Sequence, residues 1–205
     1  EDVAGTSLAL PAYQAAYSEM TIPSGPAFVA EHLRRLQAAG IQPHFMLGDI
    51  GQLETMERLI RRGVYTGPVI LNHVMIGGGM DGPNPRNMME FINRVPEGAV
   101  LTIEAIMRTV LPLTTMAIAM GLHTRVGIED NLWGKKGELM SSVKQVEQQV
   151  RIARELHREV ATGKQARAIY KIGEHYNSVD ETLAKVGYAP NRKAGELGVP
   201  MRLAA

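Results

Sequence analysis

The 205-residue chain is 45% hydrophobic and 21% charged, a composition that fits one soluble globular domain with a sizeable core and argues against disorder. Its 22 basic and 21 acidic side chains leave a formal charge of +1, so no electrostatic argument favours nucleic acid or another polyanion as a partner. With no Cys there is no disulfide framework, thiolate metal site or thiol nucleophile, and any metal must be held by His and carboxylates; no apolar run nears the roughly 20 residues of a membrane span, so a soluble, cytoplasmic protein is expected.

In chain order, residues 3–10 read as a strand entered in its middle, directly after Glu1, as though the fold began further upstream. A helix is expected over 27–39, where apolar residues return every three or four positions, then a short buried strand over 44–50. The alternation continues with helix 53–62, strand 68–76, helix 85–95, strand 99–106, helix 109–120 and strand 123–129. Gly40, Gly63 and Gly121 stand where three of these helices must end in a left-handed residue. A long helix over 139–160 and a second over 166–172 follow. The tail, 173–205, holds Pro190, Gly195, Gly198, Pro200 and one short helical stretch over 179–186; it reads as an arm that docks on a neighbouring subunit or as a loosely attached terminus.

Strand and helix alternate every 25 to 30 residues or so, which makes each repeat a βα unit and the sheet parallel. Counting 3–10 gives five units. A doubly wound sheet is complete with five, whereas a closed barrel needs eight, and spacing alone does not choose between them.

The most informative run is Arg125-Val126-Gly127-Ile128-Glu129-Asp130-Asn131. On a strand, Arg125, Gly127 and Glu129 share a face, and the small Gly127 leaves room between a guanidinium and a carboxylate. Asp130 and Asn131 then sit on the rim, at the C-terminal strand end where parallel α/β proteins build their sites. The plainer alternative is an Arg125–Glu129 ion pair with Asp130 capping the next turn. Gly77-Gly78-Gly79 after the strand over 68–76 is a turn of the kind that brings backbone close to phosphates, or simply a flexible loop; it is neither a dinucleotide fingerprint nor a P-loop. Arg108, just beyond the next strand, is a further cation for the same mouth. The six His residues show no zinc-like spacing: His32 and His157 fall on helices, and His44, His73 and His123 lie in or beside strands as satisfied core or near-surface groups. No Gly-x-Ser-x-Gly elbow occurs, which disfavours a hydrolase triad.

Taken together, Ala39-Gly40-Ile41-Gln42-Pro43, the strand end at Asp49-Ile50-Gly51, the run from Arg125 to Asn131, Gly137, and Val160-Ala161-Thr162 with Ala166-Arg167 resemble the β-keto acid cleavage enzymes, those of the 3-keto-5-aminohexanoate type, through Ile172. The resemblance implies a (β/α)8 TIM barrel, of which residues 1–172 supply about the last five βα units and 173–205 a tail. It implies zinc, with Glu129 as its carboxylate ligand and the remaining two ligands a His-x-His pair expected upstream of residue 1. Asp130 would be an acid/base group and Arg125 the cation that orients and polarises the substrate. Arg108, Gly77, Gly78 and a hydroxyl from Thr6 or Ser7 would meet substrate or CoA. The implied reaction passes an acyl group from a β-keto acid to CoA, using acetyl-CoA and yielding acetoacetate, in a homo-oligomer with small-molecule partners. Two other readings stay open: a zinc-dependent barrel aldolase or lyase without CoA, and a non-catalytic chain lacking the metal site. The family usually has a substrate-holding glutamate where this chain has Met46, which argues against the usual amino- or hydroxy-substituted keto acids.

Overall fold

A computed structural model describes residues 4, 5, 7–21 and 24–198. Four parallel strands, β1 (Phe45–Leu47), β2 (Ile70–Met75), β3 (Val100–Ala105) and β4 (His123–Thr124), form one sheet in the order β1-β2-β3-β4. The register pairs Met46 with Asn72, Asn72 with Thr102, and Thr102 with His123. The order runs without the reversal of a doubly wound sheet.

Helices α1 (Pro11–Ser18) and α2 (Pro26–Ala38) precede β1, and α3 (Ile50–Arg61), α4 (Pro85–Arg94) and α5 (Val110–Ala119) link the strands. Right-handed crossovers between sequential parallel strands place successive helices on one face of the sheet. The core shows this: Leu71, Met75, Leu101, Ile103 and Ala105 pack with Met56 and Ile60 of α3, Met88 and Phe91 of α4, and Leu113 and Ala117 of α5. His73 lies in the same layer, its ring stacked on Phe91 at a centroid distance of 3.8 Å, and its Nε2 is 3.0 Å from Asp81 Oδ2. The helix ends follow the local chemistry. Asp49 and Asn84 each accept a backbone N–H at the N-caps of α3 and α4, and Gly40, Gly63 and Gly121 take φ of +66°, +71° and +79° as expected for helix ends.

Three expectations are corrected. Instead of a strand over 3–10 there is a 3-10 turn at Ser7–Ala9 followed by α1, with Pro11 at the first helical position, where its fixed φ favours a helix; Val3 lies outside the described residues. The last strand stops at Thr124 rather than running to Glu129. Arg125 N–H still donates to Ile103 O, but Asp130 and Asn131 both donate to Gly127 O, and the chain turns there. The helix expected over 139–160 is α6 (Ser142–Glu155), started by the Ser141 hydroxyl, which accepts from Lys144 N, and ended by His157 at φ +55°.

Beyond α6, helix α7 (Gly163–Ile169) starts with a Thr162–Gln165 capping box, and α8 (Val179–Val186) packs on α3 with Leu183 and Val186 in the core. Gly98 makes this possible. Its N–H donates to Val186 O, and a Cβ there would lie 2.0 Å from Lys185 O. Tyr170, just past α7, crosses the face of the sheet opposite the helices: its hydroxyl is 2.9 Å from Thr102 Oγ1, its ring lies beside His44 and His123, and its carbonyl accepts from Gln42 Nε2. Among the described residues no helix is long and apolar enough to cross a membrane.

Burial holds the imidazole of His73 below its ordinary value, against the opposing pull of Asp81 and Asp49, and burial lowers His123 as well. The unfolded chain therefore binds protons at these rings more readily than the folded one, so their contribution to stability is present above about pH 6.5 and is lost as pH falls below it. Urea unfolding is expected to show stability declining from pH 7 to pH 5, with a shallower slope in His73→Gln. Parallel slopes for the two proteins would contradict this assignment.

Candidate functional site

The face of the sheet away from the helices is polar at its C-terminal end. Alternation along β2 and β3 puts Asn72, Thr102 and Glu104 on that face while Leu71, His73 and Ile103 take the core side. Glu104 is 3% exposed, and a buried carboxylate of this kind requires partners. It has two: Asn72 Nδ2 donates to Oε2, and Arg125 Nη1 donates to Oε1 at 2.7 Å. β4 and the turn after it supply the rest. Arg125 Nη2 also donates to Glu129 Oε2, and its Nε lies 3.6 Å from Asp130 Oδ2. One guanidinium thus faces three carboxylates, those of Glu104, Glu129 and Asp130.

The local charge is negative, and the groups respond. Burial, reinforced by the neighbouring Glu104 carboxylate and only partly offset by Arg125, pushes the Asp130 carboxyl up to about 6. Asp130 Oδ2 and Asn72 Oδ1 are buried with no hydrogen-bond partner among the described residues. The backbone locks the turn in place through Met107, whose N–H donates to Asp130 O at 2.7 Å and whose φ is +55°. A non-glycine residue in that region costs of the order of 1 kcal/mol and persists only where its surroundings enforce it.

The structure brings together Arg125, Glu129 and Asp130, though not through a strand. The turn at Gly127 carries Glu129 back onto Arg125, so the ion pair of the plainer alternative is present, and the rim places are exchanged: the Glu129 side chain is 81% exposed, whereas Asp130, expected on the rim with Asn131, is 5% exposed. Arg108 stands one residue beyond Met107 and lines a separate cavity behind the turn. Gly77 and Gly78 form a loop at φ +73° and +64° with open space where side chains would be; that loop is tied to the sheet by Asp81, which bonds His73 and donates its N–H to Gly48 O. Ser7 is exposed in its 3-10 turn, and Thr6 lies outside the described residues. Sequence reasoning missed Glu104 and Asn72. Asn72 stands beside His73 in β2, and Glu104 is the one acid in β3; polar side chains inside such buried strand runs need assigned partners.

Removing the shared cation leaves buried carboxylates uncompensated, whereas Glu129 reaches into solvent. Arg125→Met is therefore expected to destabilise the fold by about 3 kcal/mol and Glu129→Gln by less than about 1 kcal/mol, read from urea unfolding at pH 8. Equal losses would show that Arg125 is not the hub.

The chain resembles known proteins over most of its length. A family model described as beta-keto acid cleavage enzyme matches residues 4–172. A 3-keto-5-aminohexanoate cleavage enzyme from Acetoanaerobium sticklandii is 35% identical over 137 residues, which covers 66% of this chain and 50% of that protein. One of the same description from Fusobacterium nucleatum is 33% identical over 134 residues, covering 65% and 48%. A 3-dehydrocarnitine:acetyl-CoA trimethylamine transferase from Rhizobium meliloti is 27% identical over 148 residues, covering 72% and 49%. The chain spans about half the length of the curated relatives it matches. With the family model covering residues 4–172, and with Arg125, Glu129 and Asp130 gathered at the strand ends, the chain belongs to the beta-keto acid cleavage enzyme family.

Proposed function

We propose that this chain forms the C-terminal part of a closed (β/α)8 barrel that exchanges acyl groups between a β-keto acid and acetyl-CoA, giving acetoacetate and a new acyl-CoA. The observation that carries the reading is the cluster at the strand ends: Arg125 fixed between Glu104, Glu129 and Asp130, with the Asp130 carboxyl raised to about 6 by burial. The sheet order without reversal and the single helical face support a barrel segment, since a barrel places its helices outside and its polar site at the C-terminal mouth. On this reading residues 1–172 belong to the barrel and 173–205 form its tail.

A catalytic zinc site has three protein ligands, and among the described residues no group of three or more His, Asp and Glu is placed to hold a metal. One donor fits. Glu129 is exposed at the mouth with Oε2 bonded to Arg125, and three carboxylates around one guanidinium favour an added divalent cation. We read Glu129 as one ligand, with the His ligands contributed from outside the described residues. When bound, zinc polarises the β-keto carbonyl as a Lewis acid.

The chain's own residues then have separate tasks. Arg125, held on three sides, presents a fixed positive charge that orients the substrate's carbonyl and carboxylate oxygens. Asp130 accepts and returns the proton, a role suited to a carboxyl raised to about 6. Glu104 positions Arg125 and raises Asp130. Met46, in register with Asn72 on the polar face and exposed, offers a thioether wall that suits an uncharged acyl side chain. The same Met46 favours a second reading, an aldolase that works without CoA; tight binding of CoA to the full-length protein would remove it.

Incubated with zinc, acetyl-CoA and a panel of β-keto acids, the full-length protein is expected to form acetoacetate. Asp130→Asn and Arg125→Lys are expected to lower kcat about a hundredfold or more while the far-ultraviolet circular dichroism is retained. Formation of acetoacetate from none of the panel would overturn the proposal.

A further inference from the structure

The register divides the sheet face that is turned away from the helices into two halves. Level with Asn72 and Thr102, β1 contributes Met46; one pleat nearer the mouth, Val74 stands beside Glu104, and Gly48 follows Met46 on the same side. The β3–β4 half carries Glu104 and Arg125. The β1–β2 half offers Gly48 and Val74 instead, and Ile76 continues the alternation just past the end of β2, where it is exposed.

Met80 completes the apolar half. A Cβ at Gly48 would lie 2.5 Å from Met80 Cγ and 2.6 Å from its Sδ, so the Met80 side chain fills the space that a side chain at position 48 would take. Gly48 is not among the glycines at positive φ; what glycine permits here is the close approach of Met80. The loop is anchored: Asp81 N–H donates to Gly48 O at 2.7 Å, Gly77 N–H to Asp81 O at 3.0 Å and Met80 N–H to Gly77 O at 3.3 Å. The polar side chains around it are engaged locally, Asp81 with His73, Asp49 with Gln52 N–H and Gln52 with Gly48 N–H. The thioethers are left to face outward, Met80 41% and Met46 55% exposed. Two methionines along one strand edge gain from an apolar partner and adapt to its shape.

We propose that Met80, seated on Gly48, forms with Met46, Val74 and Ile76 an acyl-selecting wall, and that the substrate is a β-keto acid with a plain aliphatic side chain. This rests on the acyl-exchange reading above. The keto acid head lies at Arg125. The wall begins at Val74, beside Glu104, and ends at β1, two strand spacings or about 10 Å from β3, so Met80 and Met46 meet the far end of the acyl chain rather than its carbonyl. Met80 is thus a specificity residue: it discriminates among acyl chains and takes no part in the proton transfers.

The test varies the acyl chain presented to the full-length protein. With zinc and acetyl-CoA, kcat/KM for acetoacetate formation is expected to rise about fourfold per methylene from 3-oxopentanoate to 3-oxooctanoate, and to be at least tenfold lower for 8-amino-3-oxooctanoate than for its uncharged parent. Met80→Asp, at an exposed loop position, and Gly48→Ala, which displaces Met80 without altering it, are each expected to lower the ratio of the octanoate to the pentanoate value at least fivefold. A ratio near one in the unaltered protein, or an unchanged ratio in both variants, overturns the wall. Calorimetry with unreactive acids separates the wall from the reaction. Octanoate is expected to bind at least tenfold more tightly than 8-aminooctanoate, and Met80→Asp to remove most of that difference. If the difference is found while no keto acid yields acetoacetate, the acyl-exchange reading falls and the wall stands; acetoacetate formed without preference for chain length overturns the wall alone.

Discussion

The guanidinium of Arg125 lies between two pieces of chain that meet at the sheet's open end. On one side is β3, through Glu104; on the other is the turn after β4, through Glu129 and Asp130. β4 contributes only His123 and Thr124 to the ladder, and one more backbone bond from Arg125 extends it, so the turn is held less by strand pairing than by this cation and by the Met107 N–H on Asp130 O. A planar, permanently charged fork can serve three carboxylates from fixed directions, which a flexible ammonium does not. The geometry of the cluster therefore depends on arginine chemistry rather than on positive charge alone.

The repeating units of the fold were legible because they rest on periodicity and on turn chemistry. Residues 179–186 were expected as a helix with the bounds the structure shows, and α2, α3, α4 and α5 each lie within three residues of expectation. The failures share a cause. Residues 3–10 and 123–129 carry apolar and β-branched side chains that suit a strand, but a strand exists only where a neighbour receives its hydrogen bonds. Pro11 commits the first segment to a helix, and Gly127 accepts two N–H groups and turns the second. Neither event leaves a mark on hydrophobic spacing.

The site was legible in part for the same reason. Arg125, Glu129 and Asp130 are consecutive enough that a strand and a turn both bring them near each other, so the grouping survived an incorrect element. What the two elements do not share is which acid faces solvent: the turn exposes Glu129 and buries Asp130, the reverse of the rim expected from alternation. Glu104 and Asn72 join the cluster through register, from strands 21 and 53 residues away from Arg125 in the chain. Long-range pairing is the part of the fold that a pass along one sequence reads least well, although a solitary acid within Val100–Ala105 is itself a sign that a partner waits across the sheet.

Tyr170 gives the polar face a direction. Its hydroxyl on Thr102 and its ring beside His44 and His123 cover the polar face one pleat beneath Glu104, toward the N-terminal ends of the strands. The floor under the cluster is therefore a single aromatic side chain, supplied from just past α7 and far along the chain from Glu104.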